Sequence, residues 1–559
     1  MELPKADVWA WDIETAIDGS IVDYPTMLSA SSADHNLVAV GENNIRSLAR
    51  ALKDSGAALV TWNGWAFDEP VMKNWGIEMP MSHDGMVMAY MDDETQALGL
   101  ESCAVKYLGV KGWKHGDWKT FDPTSEEAAM YAARDAQYTL QLYHELSRRL
   151  GRRMATIESI IAPARRALDK QTAIGIYISR CAVDRERRNA ENVRDMSLAR
   201  TQGFTGPDFN PNSTKQVGEF LLARGILLPT TETGKPSTGV GVLQSIDDEF
   251  CKSLLEYRGA VKTLSTYVAP YESLASLGDG RVHPEYTLIR TLTGRSSAKN
   301  LNVQNLPRAY KDFFGAPLGK LFVECDYSAI EFRIAAWFAQ ESTILGEYAN
   351  DPGWDPHLFV ASLFYRKTTQ EVTKAERQIA KSANFGLLYL GNGFTLYEYA
   401  NKQGVKMDME TANEIYHFWH ETFPGFKKFY AETRYELVST GQVEGPTGQI
   451  RHFGDFSLVP KHKRLECLRQ AVNFKVQNLS AHIAYIAMAE MNERMLPMVG
   501  FVHDAVLFEF RSEQAFEWHR SNINYAMMVH PRCFLRYHFD IDLNIPLTIE
   551  YKVTHGPPA

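Results

Sequence analysis

Cysteine is scarce in this chain, and what there is does not pair. Its six cysteines (Cys103, Cys181, Cys251, Cys325, Cys467 and Cys533) are scattered, with no C-x-x-C and no histidine at zinc spacing. That pattern argues against a disulfide framework or a structural zinc, and for a reducing compartment. Long apolar runs are missing too. No stretch reaches the ~20 residues that a membrane-spanning helix needs, and the N-terminus enters a strand pattern without a basic or apolar leader. A soluble protein of the cytoplasm, or of a host's cytoplasm if viral, is expected. Positive charge is also in deficit: 59 Lys+Arg stand against 68 Asp+Glu, a net charge of −9. This excludes a uniformly basic coat but not a local basic channel for phosphates. The basic clusters at Arg148–Arg153, Arg185–Arg188 and Lys461–Arg469 each read as solvated helix faces. With 559 residues, 45% of them hydrophobic, the chain has material for two or more domains.

What is present centres on LFVECDYSAIEFRIAAWF, Leu321 to Phe338. An apolar strand pattern delivers Asp326, and after Tyr327 the residues Ile330, Ile334 and Trp337 recur at helical spacing, with Glu331 about one turn into that helix. Taken alone, the stretch fits equally a metal-holding carboxylate at a strand end or an aspartate capping a helix. A second stretch, MVGFVHDAVLFEF (Met498 to Phe510), reads as a β-hairpin with His503-Asp504 at its tip. Two aspartates on separate strands of one sheet can hold two Mg²⁺ ions ~4 Å apart, an arrangement suited to phosphoryl transfer. Between these stretches Arg377, Lys381, Phe385 and Tyr389 fall four residues apart. They share one helical face, with two cations for a triphosphate and then two rings for a base.

In this order DYSAIEFR, R-x3-K-x3-F-x3-Y and VHD resemble motifs A, B and C of the family A DNA polymerases, the group of bacterial DNA polymerase I. The resemblance runs through nearly the whole chain. It implies that Asp326, Asp504 and the backbone carbonyl of Tyr327 hold two Mg²⁺ ions, with Mn²⁺ able to substitute. Arg377, Lys381 and His357 (in Asp355-Pro356-His357) would grip the triphosphate, and Phe385 would pack on its sugar and base. Tyr389 would close the pocket, and with Glu331 would form the gate against a ribose 2′-hydroxyl.

The N-terminal stretch DVWAWDIETA is a strand pattern ending in Asp12 and Glu14, which as i and i+2 point to the same side. A lone D-x-E is weak evidence. AALVTWNGWAFDEPVM adds a strand, a turn at Asn63-Gly64 and a helix led by Asp68, and EEAAMYAARDAQYTLQLYHEL is a helix with Tyr131 and Asp135 one turn apart. Asp12, Glu14, Asp68 and Asp135 with Tyr131 resemble the motifs of the DEDDy 3′–5′ exonucleases. The resemblance implies that the four carboxylates hold two metals and that the tyrosine orients the attacking water. Asp84 reads as structural.

The expected architecture is an α/β exonuclease (ribonuclease H-like) domain over residues 1–152 and an α+β right-hand polymerase domain over 153–559. The thumb is placed at about 184–275, the palm at about 276–340 and 450–559, and the fingers at about 341–449. The short spacer between Tyr267 and Arg281 leaves no room for a thumb insertion that recruits a processivity partner. TLTGRSSAKNLNVQNLPR matches the family's T-x-T-G-R-x-S-S and N-x-Q-N-x-P, so Arg295, Gln304 and Asn305 would face the primer–template minor groove. Arg469, Asn473 and Gln477, at four-residue steps on a long helix, and His503 in motif C match family residues that touch DNA.

The implied activity is template-directed DNA synthesis from deoxynucleoside triphosphates with 3′–5′ proofreading. The alternatives are a nuclease with a non-catalytic DNA-binding hand, or a single-subunit RNA polymerase. The absence of a 5′-nuclease domain and the small size suggest a bacteriophage replicative enzyme, working on primer–template DNA beside a helicase or primase. Two departures stand out. Ala505 replaces the glutamate of His-Asp-Glu, with Glu509 four residues on as a stand-in, and Leu390 takes the place of the glycine that follows the motif B tyrosine.

Overall fold

The computed structural model describes residues 3–16, 24–80, 83–113, 122, 125–231, 234–276, 278–402 and 404–556. Strand Val8–Ala16 forms where side chains alternate: Trp9, Trp11 and Ile13 are buried on one face, while Asp12 and Glu14 lie on the other. It is the centre of a five-stranded sheet. Tyr24–Ser31 and then Asn36–Val40 follow antiparallel on one side; Ala58–Thr61 and His83–Asp84 lie parallel on the other. Helix Glu42–Asp54 covers the tryptophan face through Ile45, Leu48 and Leu52. Helix Glu126–Leu150 covers the acidic face, where Ala128 and Ala132 meet Met27. That puts Asp135 over the sheet.

Glu126–Leu150 ends at Gly151, whose φ of 51° turns the chain. Helical structure then resumes from Met154 to Ile174 with a π-helical turn at Ile157–Ile161. The larger C-terminal unit is mainly helical. Helices Arg180–Thr205 and Glu249–Lys262 pack side by side, with a small core of Val217, Leu221, Phe250 and Leu254 near one end. Ser213 caps helix Thr214–Ala223 by accepting from the Gln216 N–H (3.3 Å).

The second sheet has four antiparallel strands in the order Met498–Val502, Ala505–Phe510, Leu321–Tyr327, Ile549–His555. The expected strand, hairpin and helices are all present: Leu321–Tyr327 leads into helix Ile330–Ala339, and the long helix spans Lys461–Glu493. The last strand starts at Ile549, later than the apolar run from Ile545 suggests. Pro546 has no N–H for a ladder, and its carbonyl accepts from Arg333 Nη1 (2.8 Å).

One apolar core crosses between the units. Trp62, Trp65, Leu142, Leu146 and Leu150 belong to the same cluster as Ile157, Ile160, Val323, Phe501 and Phe508. Polar contacts fix the joint. Glu94 accepts from the His452 backbone N–H (2.7 Å) and lies 2.8 Å from its Nδ1. Asp92 pairs with Arg149 (3.0 Å) and Arg153 (3.3 Å), and Arg152 with Glu444 (3.0 Å). The basic cluster read as a solvated face is therefore in part an interface, because its acidic partners lie far away in sequence. No helix among the described residues is long and apolar enough to cross a membrane.

Candidate active sites

In the N-terminal unit the alternation of one strand and the four-residue step of one helix converge. Carboxylate oxygens of Asp12, Glu14 and Asp135 all lie within 4.8 Å of one another. Asp135 is buried, and its Oδ1 accepts from the indole Nε1 of Trp113 (2.8 Å). Asp68, the fourth expected acid, begins helix Asp68–Asn74 and accepts from the Ile13 N–H (3.1 Å), which ties it to the strand position between Asp12 and Glu14. Burial pushes the Asp68 carboxyl up to about 7. Tyr131 is half-buried one turn before Asp135 on the same helix. Asp84 is structural, as read from the sequence: its carboxylate accepts from the N–H groups of Asn63 (3.0 Å), Trp65 (3.1 Å), Met86 (2.9 Å) and Val87 (3.4 Å), which pins the turn where Asn63 takes φ 66°.

In the C-terminal unit Asp326 lies near the end of strand Leu321–Tyr327, and Asp504 lies in the tight turn that joins Met498–Val502 to Ala505–Phe510. The pairing of Cys325 with Val506 and of Val502 with Ala505 brings the two acids to the same end of the sheet. Burial first, and then the Asp504 charge, push Asp326 up to about 7. Burial raises Asp504 to about 6, against the opposing pull of Arg295. Asp326 Oδ1 is buried with no hydrogen-bond partner. A buried, unpartnered carboxylate oxygen beside a second carboxylate fits a hard divalent cation.

Glu509 is a correction. It pairs with Arg281 (2.7 Å) and Lys320 (2.6 Å), and sits opposite Phe322, toward the other end of the strand from Asp326. It shares the sheet face of Asp326 but is neutralised at the far end of the strand. Ala505 is buried and offers no ligand.

Beside this centre, helix Lys374–Leu388 begins with a capping box of Thr373 and Glu376. Arg377 forks onto Asp355 Oδ2 through Nε (2.8 Å) and Nη2 (2.7 Å). His357 is only 6% exposed, lies 2.9 Å from Asn384 Nδ2 through Nδ1, and is lowered by burial to about 4. It is therefore neutral at pH 7. Lys381 is half-buried, and the Phe385 ring sits 5.7 Å from the His357 ring. Tyr389 caps the helix, and its hydroxyl donates to Glu331, which also pairs with Arg295. Leu390 follows with φ 59°, a left-handed conformation that favours glycine, and its carbonyl accepts from Arg469 Nε (3.2 Å).

The expected DNA-facing residues divide. Asn305 and His503 are exposed, and Arg469, Asn473 and Gln477 are half-buried along helix Lys461–Glu493. Gln304 is 4% exposed, and its amide donates to Ser296 (2.8 Å).

The DNA polymerase family A model matches residues 184–556. The chain belongs to DNA polymerase family A. A 3′-5′ exonuclease model matches residues 1–151. DNA polymerase I of Treponema pallidum (strain Nichols) is 27% identical over 536 residues, covering 91% of this chain and 52% of that protein. DNA polymerase I of Aquifex aeolicus (strain VF5) is 28% identical over 503 residues, covering 85% and 84%. The thermostable DNA polymerase I of Thermus aquaticus is 28% identical over 459 residues, covering 79% and 52%. The chain thus spans about half the length of the Treponema and Thermus relatives. Among solved structures, the POL domain of Pol1 from M. smegmatis in complex with DNA primer-template and dNTP shares the fold, with a TM-score of 0.82 at 21% identity over 99% of this chain and 96% of that one. An N-terminal mixed α/β exonuclease domain followed by a larger helical polymerase domain is the family architecture, as the sequence led us to expect.

Within this family A chain, sequence reasoning passed over two groups. Trp113 holds a carboxylate oxygen of Asp135, and Lys311, paired with Glu324 (2.6 Å), opposes the rise of both Asp326 and Asp504. Neither lies in a motif, and no periodicity marks them.

Proposed function

We propose that the chain extends a DNA primer on a template from deoxynucleoside triphosphates and removes mispaired 3′ ends at a separate exonuclease centre. The observation that carries this reading is the Asp326–Asp504 pair at one sheet end, with a buried, unpartnered Asp326 oxygen. In this reading Arg180–Thr205 and Glu249–Lys262 form the thumb, the four-stranded sheet is the palm, and Lys374–Leu388 lies in the fingers.

Asp326 and Asp504, with the Tyr327 carbonyl, would hold two divalent cations, Mg²⁺ by the oxygen-only donor set. Asp12, Glu14, Asp68 and Asp135 would hold two more. Cations bound there neutralise developing charge on phosphate and lower the pKa of the attacking hydroxyl or water. Arg377 exchanges its fork on Asp355 for the triphosphate, Lys381 adds a second cation, and neutral His357 donates a hydrogen bond. Phe385 packs on the sugar and base. The Tyr389–Glu331 contact closes the space that a 2′-hydroxyl needs. At the exonuclease centre Tyr131 orients the attacking water. Arg295, Asn305, Arg469, Asn473, Gln477 and His503 would line the path of primer and template. Gln304 would hold that loop through Ser296 rather than reach the groove itself.

Extension of a primed template tests the reading. Incorporation that Asp326→Asn abolishes supports it; degradation without incorporation would favour a nuclease with a DNA-binding hand; preference for ribonucleotides would favour an RNA polymerase. The phage setting, with a helicase or primase beside the enzyme, belongs to the same reading, although the relatives described above are bacterial.

A further inference from the structure

We infer that Tyr90, in the exonuclease unit, is a positioning residue for sugar selection in the polymerase site. This inference rests on the polymerase reading above. Tyr90 lies on helix Gly85–Asp92 and is 4% exposed. Its hydroxyl donates to the Thr291 carbonyl (2.7 Å) and accepts from Gln449 Nε2 (3.0 Å). Thr291 opens a tight turn, whose Gly294 N–H returns to the same carbonyl (3.2 Å).

The carbonyls of Thr293, Gly294 and Arg295 are also held by side chains. Asn478 Nδ2 reaches Thr293 O (3.3 Å) and Gln449 Oε1 (2.7 Å); the Tyr485 hydroxyl donates to Gly294 O (3.0 Å); Thr291 Oγ1 donates to Arg295 O (2.6 Å). There is no slack, because a Cβ on Gly294 (φ 76°) would stand 2.5 Å from Gln449 Oε1 and 2.6 Å from Asn478 Nδ2. Asn478 and Tyr485 come from the long helix of the polymerase unit, whereas Tyr90 reaches across from the other unit.

What the turn delivers is the Arg295 side chain. Its guanidinium pairs with Glu331, which accepts from the Tyr389 hydroxyl. A displacement of Thr291 O passes through four residues of a rigid turn to the pair that closes the pocket over the sugar. Apolar packing could join the two units as firmly. Directional bonds between buried groups add the fixed position of one backbone carbonyl.

The test is single-nucleotide insertion by the full chain, in an Asp12→Ala, Glu14→Ala background so that degradation does not obscure it. Each deoxynucleoside triphosphate is compared with its ribonucleotide. Tyr90→Phe keeps the ring and removes the bond. Its preference for deoxynucleotide, as a ratio of kcat/KM, is expected to fall about three- to tenfold, the scale of one buried hydrogen bond. KM should rise while kcat stays close to the parent value. Gln449→Met, which removes the group that orients the Tyr90 hydroxyl, should shift the ratio in the same direction, and it carries the test if Tyr90→Phe does not fold. Tyr107→Phe breaks a bond to Asp92 at the end of the same helix (2.9 Å) without touching the Thr291 turn, and should leave the ratio unchanged. Ratios within twofold of the parent in Tyr90→Phe and Gln449→Met, or an equal shift in Tyr107→Phe, would overturn the inference while leaving the polymerase reading intact. A parent chain that inserts no nucleotide overturns both.

Discussion

The two carboxylate centres are built differently. The N-terminal acids come from one strand, one helix and one helix start, and protein donors reach into the centre: Trp113 Nε1 on Asp135 and the Ile13 N–H on Asp68. The C-terminal acids come from strands far apart in sequence, and Asp326 leaves one buried oxygen without a partner. The first centre is therefore held by its own hydrogen bonds. The second is held by sheet pairing and leaves a buried carboxylate oxygen open to a cation.

The largest expected effect separates the two. Asp326→Asn or Asp504→Asn should lower primer extension by more than roughly 10²-fold, the scale lost with one charge-stabilising group, and leave degradation of single strands intact. Asp12→Ala with Glu14→Ala should do the reverse and raise the error rate. Gel assays of extension and degradation on the same preparations check both, and near-normal extension by either asparagine variant would break the polymerase assignment.

Next comes Trp113→Phe, which removes one donor to Asp135. It should slow degradation about tenfold, since bonds to charged groups contribute ~1.5–3 kcal/mol, with extension rates unaltered. Unchanged degradation would show that the sheet and helix orient Asp135 without it.

The third effect is on stability. Asp326 at about 7 and Asp504 at about 6 both titrate above the usual aspartate range. Between about pH 4 and 7 the folded chain keeps protons that the unfolded chain has released, so without divalent cation its stability falls as pH rises through that window. In chelator at pH 8, Asp326→Asn should raise Tm by about one degree, corresponding to about 1 kcal/mol in a chain of this length. Mg²⁺ should close the gap by stabilising the parent. A lower Tm for the variant in chelator would argue that the acid pair is not repulsive.

The smallest effect concerns Leu390. Leu390→Gly relieves a left-handed φ worth ~1–2 kcal/mol, and it should alter discrimination among base pairs more than primer affinity. Catalytic efficiencies for matched and mismatched triphosphates, diaminopurine among them, read this directly. Equal shifts for every nucleotide would assign Leu390 to closure of the fingers instead.

How legible this was depended on the range of the contacts. Asp12 with Glu14, Tyr131 with Asp135, and the Arg377–Tyr389 face are separations within one strand or helix, so periodicity exposes them. The Asp326–Asp504 pairing was reached through motif order and resemblance, because no local rule brings two distant strands together. Sequence was silent where a partner lies beyond the reach of helix or strand periodicity: Glu509 on Arg281 and Lys320, Arg149 and Arg153 on Asp92, Gln304 folded inward onto Ser296. A side chain's type says that it can bond, but only the fold says to what.

The apolar core that crosses between the units has a practical consequence for anyone dissecting this protein. Gly151 looks like a natural place to cut, yet Trp62, Trp65, Leu142 and Leu146 on one side of it belong to the same apolar cluster as Ile157, Ile160, Val323 and Phe501 on the other, so a cut there divides one core. The faces of a divided core recruit each other or neighbouring chains. Separating the two activities is therefore better done by point substitution in the intact chain than by truncation, and a soluble fragment would first need its newly bared flank redesigned with polar side chains.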